Sequence, residues 1–171
     1  MKLRSIIDEN FQDFKKPSMN LITCYCDGKC WKEQNLEPCL CHNKHIIEMG
    51  INFYPDTEII KRYLRNPITK ALLISGLEPF FQFTEVMNLI KKFRKQCSDT
   101  IVIYTGFYED EVESQLRELK AFNNIIIKFG RYRPSEAKRF DENLGVYLAS
   151  SNQYSKTIEE ITFKEICREQ D

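Results

Sequence analysis

The sequence predicts an α/β fold in a single domain with a mostly parallel sheet. Three continuous apolar runs, Ala71-Leu72-Leu73-Ile74, Ile101-Val102-Ile103-Tyr104 and Ile125-Ile126-Ile127-Lys128-Phe129, have the composition of strands buried on both faces. Segments with helical spacing separate them, and each run stops at a glycine: Gly76, Thr105-Gly106 and Gly130. Alternation of strand and helix gives βαβ units with right-handed crossovers. The 171 residues suit one compact domain spanning 1–171, with a cysteine-rich loop over 24–45.

In chain order, Met19 to Thr23 is a short apolar strand, followed by the cysteine loop to about His45. Asp56 is the expected N-cap of a first helix that runs to Asn66, with Ile59, Ile60 and Leu64 on one face and Pro67 just beyond. After the strand at 71–74, Thr84 is the expected cap of a second helix whose Val86, Leu89, Ile90 and Phe93 keep helical spacing. Lys91, Lys92, Arg94 and Lys95 gather at its C-terminal end, where they suit the helix dipole in a solvated position. The strand at 101–104 leads to a charged helix with Val112, Leu116 and Leu119 facing in, and Asn123-Asn124 turns into the strand at 125–129. Phe11, Phe14, Phe80, Phe81 and Phe83 are expected in the core, while the stretch after Ser155 shows no clear period.

Composition narrows the function. The chain is 42% hydrophobic and 29% charged, enough to bury a core. Lys+Arg and Asp+Glu balance at 25 each, so no global field points to nucleic acid or to an acidic membrane surface. The start, Met1-Lys2-Leu3-Arg4-Ser5, has no apolar signal core, and no run is long enough to span a bilayer. The expected location is the cytoplasm, where clustered cysteines more often bind metal than form disulfides.

Five of the seven cysteines fall in the pattern Cys24-x-Cys26-x3-Cys30-x8-Cys39-x-Cys41, while Cys97 and Cys167 stand alone. Such crowding of thiols points to a soft metal or an iron–sulfur cluster. Zinc sites favour two pairs each separated by two to four residues, and only Cys26 and Cys30 fit that rule. The residues alone leave an iron–sulfur cluster, a structural zinc and unmetallated thiols open. His42 and His45 read as solvated loop residues. In parallel sheets the ligand site lies at the carboxyl ends of the strands. The cysteines, Gly76-Leu77-Glu78-Pro79, Thr105-Gly106 and Gly130-Arg131 all follow strands in this way. Glu78 is a candidate ligand contact or a cap of the next turn; Gly106 is a ligand contact or a strand stop.

These segments together resemble a family. Cys26-x3-Cys30 after a first strand is similar to the opening of the radical S-adenosylmethionine motif, whose usual form has a third cysteine two residues on; here Glu33 fills that slot. Cys41-His42-Asn43 resembles the family's final cysteine, followed two residues later by Asn, after an insertion from Trp31 to Leu40. Ser75-Gly76-Leu77-Glu78-Pro79 looks like the Ser-Gly-Gly-Glu-Pro segment, with Leu77 in place of a glycine. Ile103-Tyr104-Thr105-Gly106-Phe107, Gly130-Arg131 and Leu148-Ala149-Ser150-Ser151-Asn152-Gln153 resemble segments of anaerobic ribonucleotide reductase activating proteins.

The resemblance implies a partial (βα) barrel. It implies a [4Fe–4S] cluster held by Cys26, Cys30 and Cys41, with Cys24 and Cys39 dispensable. S-adenosylmethionine would then be bound by Asn43, Gly76, Leu77, Glu78, Pro79, Tyr104, Thr105, Gly106 and Gly130. The implied activity is reductive cleavage of S-adenosylmethionine to a 5′-deoxyadenosyl radical that activates a glycyl-radical enzyme of the ribonucleotide reductase kind. An electron donor such as flavodoxin or ferredoxin is implied with it, and no side chain is assigned as an acid or base. The rival readings are a non-catalytic [4Fe–4S] protein on the same scaffold, serving electron transfer or sensing, and a small zinc-stabilised binding module.

Overall fold

A computed structural model describes residues 1–163, so Cys167 lies outside the described residues. In chain order the strands and helices are β1 (Lys2–Leu3), β2 (Ser5–Asn10), β3 (Ser18–Thr23), α1 (Lys29–Lys32), α2 (Lys44–Ile47), β4 (Asn52–Phe53), α3 (Asp56–Arg65), β5 (Ala71–Gly76), α4 (Phe83–Arg94), β6 (Thr100–Tyr104), α5 (Glu113–Leu119), β7 (Ile125–Phe129), β8 (Arg139–Asp141), β9 (Val146–Leu148) and β10 (Tyr154–Thr157).

One six-stranded sheet, in the order β10-β7-β6-β5-β3-β2, organises the chain. Its four central strands are parallel, in agreement with the apolar runs. Both edge strands are antiparallel: β2 against β3 and β10 against β7. The sheet is therefore mixed and open. Its edges do not pair with each other, so no barrel closes among the described residues; the resemblance implied a partial barrel, and what the structure shows is an open mixed sheet.

The pleat sends alternate residues to two different cores. Met19, Leu21, Leu72, Ile74, Ile101, Ile103, Ile125, Ile127 and Phe129 face α3, α4 and α5. Ala71, Leu73, Val102 and Ile126 face the other way, against Phe14, Leu144 and Leu148 from the Phe11–Lys16 loop and the β8–β9 hairpin. On the helical side, α4 buries Val86, Met87, Leu89, Ile90 and Phe93. Each fully buried side chain of this size contributes about 1.5–3 kcal/mol.

Two helix starts differ from the sequence expectation. Asp56 is the first residue of α3, after Pro55, and makes no cap. Its carboxylate instead pairs with Lys92 on α4 at 2.7 Å, tying the two helices together. Thr84 lies inside α4, whose cap position is Gln82. Gln82 is drawn inward because its side chain spans Cys24 N–H at 2.6 Å and the Lys2 carbonyl at 2.9 Å. Among the phenylalanines, Phe14 and Phe80 are buried and Phe83 packs at the core margin, but Phe11 and Phe81 are exposed. Among the described residues no helix is long and apolar enough to cross a membrane.

Candidate functional site

A cavity of about 490 Å³ opens at the carboxyl ends of the parallel strands. That volume lies in the ordinary range of small-ligand sites, roughly 300–1,000 Å³. Its walls include Cys26, Cys30 and Cys41, then Asn43, Gly76, Leu77, Glu78, Tyr104, Thr105, Gly106 and Gly130. Of the residues expected to hold the cluster or S-adenosylmethionine, Pro79 alone stays off the wall: it is buried as the first residue of the short 3-10 turn Pro79–Gln82.

The three thiols come from different parts of the loop. Cys26 precedes α1, Cys30 lies within it, and Cys41 ends the 3-10 turn Pro38–Leu40. Cys26 Sγ accepts the Gly28 N–H at 3.2 Å. Burial, then the neighbouring Cys41 and Cys26 thiols, push the Cys30 thiol up to about 11. A thiol whose ionisation is opposed by two neighbouring thiols belongs to an electron-rich donor set of the kind that a soft cation relieves. Cys24 is elsewhere: it is buried, with Arg4, Glu85 and Lys2 as its charged neighbours. Cys39 is exposed.

Among the described residues no three His, Cys, Asp or Glu side chains converge tightly enough for a single metal ion. A cluster that takes each thiolate on a different iron needs no such convergence, so the three wall cysteines fit a multi-iron group as a donor set.

Backbone and side chains lock the strand ends. Gly76 has φ 104°, and a Cβ there would sit 2.7 Å from Thr23 N, so only glycine lets β5 turn against β3 at this point. Leu77, which stands where the resembled segment has a glycine, lies outside the left-handed region and half-buried on the wall. Glu78 is buried; its carboxylate accepts the Thr105 hydroxyl at 2.8 Å, the Gly106 N–H at 2.8 Å and the Phe80 N–H at 3.1 Å. It is thus a turn cap and a brace between the ends of β5 and β6. Burial raises its pKa to about 7 against the pull of those donors.

Sequence reasoning passed over Lys128. It points from β7 to the cavity side, is buried, and donates to the Gly130 carbonyl at 2.8 Å. Burial brings its amine down to about 7. A lone lysine inside Ile125–Phe129 was the available signal, since an amine in an apolar strand needs a polar reason to be there. Tyr104, on the neighbouring strand in register with Lys128, donates its hydroxyl to the Asp13 carbonyl at 2.5 Å. Gln153 Nε2 adds a bond to the Gly130 carbonyl at 3.2 Å, and Asn152 Nδ2 one to the Arg131 carbonyl at 2.9 Å. The Ser150–Gln153 segment therefore braces the end of β7. His42 and His45 are exposed, with the His42 ring 5.0 Å from that of Tyr132.

An open α/β sheet whose strand ends meet three thiols of the cysteine loop suits an iron–sulfur protein, and the comparison with protein families identifies the class. The model of the 4Fe-4S single cluster domain family matches residues 26–155, and the chain belongs to that family. The match begins at Cys26 and ends within β10, so it takes in most of the cysteine loop and three of the four parallel strands, β5, β6 and β7. It is consistent with an iron–sulfur protein of the radical S-adenosylmethionine type. No curated protein and no solved structure matches the chain.

Proposed function

We propose that the chain cleaves S-adenosylmethionine reductively, and that it does so to install a glycyl radical on a partner enzyme resembling anaerobic ribonucleotide reductase. One observation carries this reading: the Cys26, Cys30 and Cys41 thiols share a cavity wall with Gly76, Leu77, Glu78, Tyr104, Thr105 and Gly106. Thiols and ligand-binding strand ends that share one wall suit a cofactor next to its co-substrate.

In this reading Cys26, Cys30 and Cys41 hold a [4Fe–4S] cluster. When bound, that group supplies one electron to the sulfonium of S-adenosylmethionine, yielding methionine and a 5′-deoxyadenosyl radical. The chain's own residues bind and orient. Glu78 fixes the spacing of the two strand ends through Thr105 and Gly106. Tyr104 and Leu77 supply the body of the wall, and Phe14, Leu144 and Leu148 seal the lower half of the same sheet face from water. That plug favours a polypeptide as the second substrate, because a segment of another chain reaches the strand ends from outside without needing enclosed space. A small one-electron donor of the flavodoxin or ferredoxin kind completes the proposal.

The test is anaerobic reconstitution, reduction and incubation with S-adenosylmethionine, with 5′-deoxyadenosine measured by chromatography. The reading requires its formation above the level of a Cys30→Ala control. A fully loaded, fully reduced protein that yields none, with or without a candidate reductase, favours the non-catalytic iron–sulfur protein.

A further inference from the structure

Arg131 follows Gly130 at the end of β7, with its side chain almost wholly buried. All three guanidinium nitrogens are engaged. Nη1 and Nη2 form a fork on Glu111 at 2.8 and 2.5 Å, and Nε lies 3.0 Å from Glu33. A two-pronged pairing of this kind fixes orientation as well as charge. Glu111 is held down to about 2, first by its bonds from Arg131.

Glu33 lies one helical turn beyond Cys30, so the ion pair joins the first half of the cysteine loop to the end of β7. Two further ties come from the next residue. Gln34 Nε2 donates to both the Cys30 carbonyl and the Tyr132 carbonyl, the latter at 2.9 Å. The Tyr132 ring meets His42, which is next to Cys41. The Arg131-Tyr132 pair thus touches the loop beside Cys30 and again beside Cys41, spanning the stretch that separates them.

We infer that Arg131 is a positioning residue for the iron–sulfur site, and that its pairing with Glu33 holds Cys30 in register with Cys41. The inference rests on the reading that these cysteines hold the cluster. The interrupted spacing of the thiols needs such a device. Ten residues between Cys30 and Cys41 leave the chain itself unable to set their separation. Arg131, fixed to Glu111 on the sheet side, supplies a rigid reference.

The test compares the wild-type chain with Glu33→Gln, Arg131→Lys and Arg131→Met. Glu33 is half-exposed, so Glu33→Gln leaves the core intact. Hydrogen exchange on the metal-free proteins comes first. Peptides covering 28–43 exchange roughly two- to fivefold faster in Glu33→Gln, the range expected from losing a partly exposed ion pair, while β5, β6 and β7 are unchanged. After reconstitution, iron loss to a chelator quickens by a similar factor and the electron paramagnetic resonance lines of the reduced protein broaden. Arg131→Lys, which keeps the charge and loses the fork, falls between wild type and Arg131→Met. Loop exchange and line width equal to wild type in a folded Glu33→Gln overturn the inference. A wild-type chain that takes up no iron overturns the site reading beneath it; the exchange measurement, which needs no metal, tells the two failures apart.

Discussion

The Asn43 side-chain amide donates to the Gly76 carbonyl at 2.7 Å. This bond joins the last residues of the cysteine loop to the end of β5. Both residues were expected to touch S-adenosylmethionine; the bond shows that they also hold each other. It sets Cys41, two positions before Asn43, beside the Gly76–Glu78 strand end. Arg4 reinforces the same corner by bonding the Ile47 carbonyl at 2.7 Å and the Cys24 carbonyl at 3.2 Å. The loop is thereby fastened to β5 behind Cys41 and to β7 beyond Cys30.

The five loop cysteines divide into two groups. Cys26→Ala, Cys30→Ala and Cys41→Ala each lose most of the iron after anaerobic reconstitution. Cys24→Ala and Cys39→Ala keep close to the wild-type content, because neither thiol lines the cavity that Cys26, Cys30 and Cys41 share. Iron counting on the five variants checks the division. Cluster loss in Cys24→Ala with retention in Cys26→Ala would reverse the ligand assignment.

Two glycines of the cavity wall differ in what they tolerate. Gly76→Ala places a Cβ 2.7 Å from Thr23 N at φ 104°. Left-handed strain and the clash together cost about 2–4 kcal/mol. Gly106→Ala brings its Cβ 3.5 Å from Glu78 Oε2, an ordinary contact, and costs less than about 1 kcal/mol. Denaturant unfolding of the metal-free proteins distinguishes them; equal losses in both variants would contradict the placement of the β5 end.

Glu78 makes the stability of the metal-free protein depend on pH. Its carboxyl is raised from 4.5 to about 7 by burial, so the folded state binds its proton more tightly than the unfolded state does. The contribution is fully present below about pH 4.5 and is lost as pH rises through about 7. Lys128, brought down to about 7 by burial, acts in the opposite sense: stability is regained as pH rises from about 7 toward 10.5. Unfolding measured from pH 5 to 9 therefore passes through a minimum near neutrality. Glu78→Gln removes the falling limb. A wild-type curve that rises from pH 5 to 7 would mean that Glu78 ionises freely.

The parallel core was readable because buried parallel strands carry continuous apolar runs, and β7 begins and ends at the expected Ile125 and Phe129. The edge strands were not. Ser5–Asn10 ends in Asp8-Glu9-Asn10, and Tyr154–Thr157 is largely polar, because one side of each strand meets solvent. Asp56 was legible as a helix-start residue, but its pairing with Lys92 is a contact across 36 positions. The candidate cavity wall was legible in its segments, since each follows a strand end. The braces were not. Arg131 finds Glu33 and Glu111 only through the fold, and Lys128 faces the cavity only because the pleat turns it that way.

The claim that thiols and strand ends form one site for cluster and co-substrate is tested most directly by electron paramagnetic resonance of the reduced, reconstituted protein. Spectra are recorded before and after S-adenosylmethionine is added, for the wild-type chain and for Gly106→Val. If the two groups share the cavity, the wild-type signal shifts on addition. A valine there adds bulk beside Glu78 Oε2, and the shift weakens or disappears. A fully reduced wild-type cluster whose spectrum is unchanged by saturating S-adenosylmethionine would contradict the account.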